Sequence, residues 1–282
     1  MVHESMNIIT LTSDMGMQDY LVAGIKGCLL PQFPDCQLVD ITHQIEPLNL
    51  LQAAYVVKNA WKHFPPETFH VLLVDLFYQR YPRYIMAFHE GQYFCGADNG
   101  LLPMILDQQP QQILELNHHH PSLQLFDVIQ LFAKAIRHLL NGHAINEIGE
   151  PLPHVTVLES YQPRLHDEWI EAQIIFIDHY ENVIVNLTRE QFEAHRKGRK
   201  FKICFRHDEY ITEIHEQYAD VRPGEKLAFF NAGGYLEIAI NRGNAAGLLG
   251  LQSVRTRPDS HRPPGGMQKN LFYQSIKIIF EP

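Results

Sequence analysis

Asp14, Asp40, Asp75 and Asp178 each close an apolar run, in IITLTSD, QLVD, FHVLLVD and IIFID. In α/β sheets, ligands settle in the crevice outside the carboxyl ends of parallel strands, where loop groups share one cavity. A carboxylate there can accept bonds from sugar hydroxyls, an ammonium or a backbone N–H. The first run continues through Gly16 and Asp19 into a small-residue stretch with Gly24 and Gly27. Asp14 and Asp19 fit that reading, and each equally fits the capping of a helix start. Repetition of the pattern at four strand ends favours a pocket rim.

The elements that must position these groups alternate up to about Pro153. Strands are predicted at Asn7–Leu11, Cys36–Ile41, Thr68–Asp75, Tyr84–His89 and Gln92–Gly96, and helices at Asp19–Leu30, Leu50–Ala60 and Asp127–Asn141. Such alternation predicts an α/β domain, residues 1–160, with a mostly parallel sheet flanked by helices. From Glu171 the texture changes to short strands at Glu171–Ile177, Val183–Asn186, Phe201–Phe205, Leu227–Phe230, Tyr235–Ile240 and Gln274–Phe280. That style predicts a smaller β barrel or sandwich, residues 170–282. Tyr161–Trp169 reads as the linker, and Ser253–Gly266, rich in Arg, Pro and Gly, as a long loop.

The 282 residues exceed a typical single domain, and 45% hydrophobic with 20% charged residues suits a globular chain. No apolar run reaches the ~18 residues of a membrane span, and Met1–Met6 lacks a signal pattern. A cytoplasmic protein is expected. Cys28, Cys36, Cys95 and Cys204 are scattered, which fits neither a zinc ribbon nor a disulfide framework. A formal charge of −9 argues against binding a nucleic-acid backbone and suits a cationic small ligand.

Other constellations are weaker. His118–His120 invites a metal, but adjacent side chains on extended backbone point alternately and no nearby carboxylate completes a site. His207 and His215 fit a solvated loop. Ser13 lacks the G-x-S-x-G of a nucleophile elbow, and no G-x-x-x-x-G-K-[ST] occurs. No metal and no cofactor are expected. In IDHYENVIVNL, Asp178, Asn182 and Asn186 surround a turn, where they fit either an Asx turn or an amide edge for a purine. Downstream of Glu237, Gly243, Asn244, Ala245 and Ala246 permit close backbone approach to a flat ring.

Five ordered motifs, TSDMGMQDYLVAGIKG, VDITHQIEPLN, ADNGLL, FIDHYENVIVNL and GGYLEIAINRGNAAGLLG, closely resemble the S-adenosylmethionine hydroxide adenosyltransferase family, relatives of the fluorinases and chlorinases. The resemblance spans about Ile8 to Leu251. It implies an N-terminal α/β domain, a C-terminal β barrel, and a homotrimer holding ligand between one subunit's first domain and its neighbour's barrel. It also implies attack at the ribose C5′ of S-adenosylmethionine. By the same resemblance Asp14 grips the ribose hydroxyls and Asp19 is a second acid near that pocket. Asp178 receives the methionine ammonium, Asn182 the adenine, and Asn244 with Ala245 the edge of the base. Glu237 matches a strand acid with a structural role.

The nucleophile-handling motifs depart from the family pattern. Family members carry V-D-P-G-V-G followed by arginine, and H-G-R-D, which give an Asp–Arg–His set for water. Here VDLFYQRYPRYI keeps Asp75, while the arginine position falls near Pro82, flanked by Arg80 and Arg83. In HHHPSLQLFDV, Pro121 and Ser122 fall at the His-Gly positions, with His120 one residue away. Ser122 also stands where halogenating members use a serine. Leu48, Glu181, Ala232 and Gly233 replace an aromatic, a glycine and polar contacts of the pattern. The resemblance therefore implies Asp75, Arg83, His120 and Ser122 as the catalytic candidates in hydrolysis to adenosine and methionine. The alternatives are a non-catalytic adenosine binder, which keeps Asp14 and Asn182 while the water set decays, and an enzyme using halide.

Overall fold

The computed structural model describes residues 7–106, 108–116, 123–158, 162–206, 209–251 and 275–281. The chain divides into two compact units, Met1–Leu158 and Glu159–Pro282. Among the described residues, no helix is long and apolar enough to cross a membrane.

The first unit runs β1 (Ile8–Ser13), α1 (Leu21–Leu29), β2 (Gln37–Thr42), α2 (Leu50–Trp61), β3 (Phe69–Leu73), β4 (Tyr84–His89), β5 (Gln92–Ala97), α3 (Leu101–Ile105), β6 (Gln112–Leu116), α4 (Leu125–Leu140) and β7 (Gly149–Pro151). Its seven strands form one sheet in the order β2-β1-β3-β5-β4-β6-β7. The β2-β1-β3-β5 half is parallel, and β4, β6 and β7 join through antiparallel pairs. The sheet is thus mixed, and the parallel half matters for ligands.

Chain order explains the layers. Leaving β1 through α1 to β2, and then returning across β1 through α2 to β3, places the two helices on opposite faces. Ile25 and Leu29 of α1 pack with Val128, Phe132 and Ile136 of α4 against Ile9, Leu11, Val71 and Leu73. Ala53, Val57 and Trp61 of α2 pack with Leu101 and Ile105 of α3 against Leu72, Ile85 and Phe94. With cover on both faces, even Thr10 and Thr12 of β1 are buried, as a central parallel strand requires. The reversal of direction at β1 creates a switch point between β1 and β3.

The second unit comprises β8 (Arg164–Leu165), β9 (Trp169–Ile177), β10 (Val183–Thr188), α5 (Arg189–Arg196), β11 (Phe201–Arg206), β12 (Glu209–Ile211), β13 (Lys226–Phe230), β14 (Tyr235–Ile240), α6 (Ala245–Leu249) and β15 (Ser275–Phe280). Its strands pair antiparallel in the order β12-β11-β15-β9-β10-β14-β13, with β8 beside β9, in a nearly closed, barrel-like sheet. Alternate side chains such as Ile170, Ala172 and Ile174 meet Val183, Val185, Ile276 and Ile278 in a single core. The stretch read as a linker contributes β8 and the first residue of β9, because Arg164 and Leu165 pair with Glu171 and Ile170.

Candidate active site

β1 ends at Ser13 and β3 at Leu73, and the two are parallel neighbours with Ser13 opposite Leu73. Asp14 and Asp75 therefore leave the sheet at the carboxyl edge on either side of the switch point, where open α/β sheets bind ligands. Asp14 turns away at Gly16, whose φ of +72° suits glycine.

One oxygen of Asp14 joins three loops. Its Oδ2 accepts the backbone N–H of Leu48 at 2.9 Å and that of Asp75 at 3.2 Å. Both donors hold left-handed backbone, with φ of 64° at Leu48 and 47° at Asp75. Such angles are uncommon for a leucine and cluster at ligand sites, where surrounding structure must enforce them. The ADNG motif supplies part of that enforcement. Buried Asn99 donates its amide to the carbonyls of Val74 at 2.9 Å and Asp75 at 3.1 Å. Asp75 is 4% exposed, so a carboxylate is presented from a nearly dry position. Met17, Tyr20, Leu48, Phe77 and Tyr81, on the loops that follow β1, β2 and β3 at this sheet edge, are 41–70% exposed.

Arg83 precedes β4, which runs antiparallel to β5, so it reaches the same sheet edge. Its guanidinium pairs with Asp98, a buried carboxylate that also accepts Thr156 N–H at 2.8 Å and the Thr156 hydroxyl at 3.1 Å. Arg83 thus neutralises Asp98, and that charge-assisted bond fixes its orientation. Asp19 accepts Leu21 N–H at 2.9 Å at the start of α1, the capping reading. Asp40 does not close its strand. β2 continues to Thr42, and Asp40 pairs with Lys26 and lies 3.2 Å from His43 Nε2. Its apparent place at a strand end came from the apolar pattern stopping before the hydrogen-bonded strand did. His118–His120, Ser122, His207 and Ser253–Gly266 lie outside the described residues.

In the second unit Asp178 follows β9 and folds its turn onto itself. Its Oδ1 accepts the N–H of Tyr180 at 2.9 Å and of Asn182 at 2.8 Å, and its Oδ2 accepts the Asn182 amide at 3.1 Å. Three of about four carboxylate acceptor positions are thereby used. The Asn182 amide also reaches the Tyr218 hydroxyl at 3.0 Å, and that hydroxyl donates to Glu237 at 2.6 Å. Glu237 accepts Asn231 as well, at 3.1 Å. Burial pushes the Glu237 carboxyl up, against the lowering by its Tyr218 and Asn231 bonds. Burial and then the bond to Glu237 push the Tyr218 phenol up. Asn244 caps α6 by accepting Gly247 N–H, and Ala245 is fully buried. The next residue, Ala246, donates to Glu181 at 2.9 Å, so the Asp178 turn and the α6 start are brought together.

Tyr218, Asn231, Asn99 and the Leu48 N–H were not singled out by sequence. Nothing in a tyrosine's local pattern says that it bridges residues 36 and 19 positions away. His138, His143 and Glu147 bring possible metal donors within 4.8 Å of one another. Lys134 and Arg137 line the same pocket, and His138 pairs with Glu147 at 3.2 Å near the C-terminus of α4. A histidine is favoured at such a helix end without any ion.

The chain matches the SAM hydroxide adenosyltransferase N-terminal domain over residues 9–149 and the C-terminal domain over residues 172–256. It is 27% identical to an (R)-S-adenosyl-L-methionine hydrolase of Thermus thermophilus, over 88% of this chain and 97% of that one. Its identity to the protein of the same name from Methanocaldococcus jannaschii is 26%, covering 87% and 93%. Among solved structures, an uncharacterized conserved protein of Thermotoga maritima superposes with a TM-score of 0.77 at 23% identity, covering 96% and 99%. Both family domains map onto the two compact units, and the chain belongs to the SAM hydroxide adenosyltransferase family.

Proposed function

We propose that this chain transfers the adenosyl group of S-adenosylmethionine to water, giving adenosine and methionine. The observation that carries this reading is the pair of carboxylates at the β1–β3 switch point, with Asp14 bound to the backbone N–H of Asp75. In the reaction an O–C5′ bond forms and the C5′–S bond breaks, its electron pair going to sulfur. The sulfonium becomes a neutral thioether, so departure needs neither acid nor cofactor. One proton leaves the water. Catalysis then rests on placing water in line behind C5′ and excluding bulk solvent.

In this reading Asp14 accepts the ribose hydroxyls through its remaining lone pairs, and Asp75, held by the Asn99 amide, orients the water and takes its proton. Arg83, fixed by Asp98, offers its remaining guanidinium N–H donors at the same edge, with His120 and Ser122 as further candidates for the water. Asp178, Asn182, Asn244 and Ala245 form the proposed amino-acid and adenine contacts, and Asp19 supports the first loop. The names of the relatives point to the R epimer at sulfur as substrate. The exposed apolar residues around Asp14 support assembly, which we propose to be a homotrimer, since patches of that kind mark interfaces.

Incubating the chain with S-adenosylmethionine in ¹⁸O-water tests the reaction. Adenosine carrying label at its 5′-hydroxyl, with an equal amount of unlabelled methionine, is the expected result. No adenosine above a buffer control would overturn it, and tight adenosine binding without turnover would replace it by a binding role. A halogenated nucleoside formed when chloride is added would assign halide as the nucleophile.

A further inference from the structure

Beside Asp14, and outside the groups assigned above, a chain of polar side chains runs from a buried end at Ser13 and His43 to a partly exposed end at Asp40 and Lys26. Ser13 is fully buried and His43 is 3% exposed. The Ser13 Oγ lies 2.7 Å from His43 Nδ1, and His43 Nε2 lies 3.2 Å from Asp40 Oδ1, off the line of its N–H. Asp40 in turn bonds Lys26 of α1 at 2.5 Å. Burial raises the Asp40 carboxyl, yet the bond from Lys26 and the adjacent His43 ring outweigh it and hold the group below its ordinary range.

The carboxylate of Asp40 fixes the polarity. It can only accept, so the facing His43 Nε2 carries the ring proton and Nδ1 accepts from the Ser13 hydroxyl, whose oxygen also accepts Met15 N–H at 3.4 Å. Ser13 is fully buried, so its hydroxyl is not presented to a substrate and serves the turn. The backbone completes the arrangement, because the His43 carbonyl accepts Gly16 N–H at 2.7 Å. One residue, His43, therefore grips the chain on both sides of Asp14, at Ser13 through its ring and at Gly16 through its carbonyl.

We propose that His43, backed by Asp40 and Lys26, is a positioning residue that clamps the Ser13–Gly16 turn so that the Asp14 carboxylate is preset for its ligand. The inference rests on the reading of Asp14 as a ligand-binding group. Preorganised geometry is where such a contact acts, since a small displacement of a binding carboxylate weakens every bond it makes.

Three variants separate the two ends of the ring. Asparagine imitates Nδ1 and glutamine imitates Nε2, so His43→Asn keeps a partner for Ser13 while His43→Gln keeps one only for Asp40. Ser13→Ala and His43→Gln are expected to weaken adenosine binding by about tenfold or more, with His43→Asn restored to within about threefold. Hydrogen exchange at the Met15 and Gly16 amides should accelerate by a similar factor in the first two variants. Lys26→Met, at the solvent end, is expected to change both by about twofold and serves if the His43 variants fail to fold. Wild-type affinity in Ser13→Ala and His43→Gln overturns the proposal, as does faster exchange without loss of affinity. If the wild-type chain neither binds adenosine nor turns over S-adenosylmethionine, the reading of the site fails. The exchange rates then judge the clamp, and unchanged protection at Met15 and Gly16 rejects it.

Discussion

Asp14 and Asp178 look alike in sequence, each closing an apolar strand, yet the two units hold them in opposite ways. Asp14 bonds backbone groups 34 and 61 residues away, whereas Asp178 bonds groups only two and four residues away. The first carboxylate joins three loops that only the folded sheet brings together. The second spends most of its acceptor capacity on its own turn. A strand-end aspartate is thus held by distant loops or by its own turn according to where its partners come from.

The sharpest way to break this contrast is Asp14→Ala. It removes the proposed ribose contact and leaves the Asp75 N–H without its carboxylate, so turnover should fall by about 100-fold or more and stability by about 1–3 kcal/mol. Adenosine calorimetry and thermal unfolding read the two parts. Unchanged affinity would remove Asp14 from the site.

Next in size is a pH contrast of opposite sign. His70 in β3 is buried between Thr10 and Gln92, and burial lowers it to about 4. Its folded value lies below its unfolded value of about 6.5, so the unfolded state binds the proton first. The first unit should therefore lose stability as pH falls from 6.5 through 4, by about 3 kcal/mol from this group. Glu237 is raised from 4.5, so its folded state holds the proton longer. Its contribution is full below 4.5 and is lost as pH rises through the folded value. Hydrogen exchange at β3 and β14 across pH 4–8 should show these opposite trends, and Glu237→Gln should flatten only the second.

The smallest effect belongs to Asp178→Asn, which keeps an acceptor for the turn and should cost about 1 kcal/mol or less. If the proposed ammonium contact acts, KM for S-adenosylmethionine rises while adenosine affinity stays constant. Equal losses for both ligands would make Asp178 purely a turn residue.

Where apolar periodicity was strong, the elements were legible. β4 and β14 have the predicted ends, Tyr84–His89 and Tyr235–Ile240, because both are bounded by abrupt changes of polarity. α5 escaped notice because only Phe192 of its eight residues is buried, although Thr188 and Gln191 form a readable capping box. α3 has five residues and a proline, too few for any period to show. β6, Gln112–Leu116, has only five residues beside a glutamine-rich stretch.

By itself the sequence determined the two textures, the strand ends bearing Asp14, Asp75 and Asp178, and the family, because periodicity and motif order are local or linear properties. Only the tertiary structure decided that Asp14 is held by Leu48 and Asp75, that Arg83 belongs to Asp98, and that Asp40 faces His43 rather than a pocket. Those pairings join residues separated by loops and crossovers. Hydrogen bonds act over about 3 Å in space, and spacing along the chain carries no record of which distant groups the sheet will bring that close.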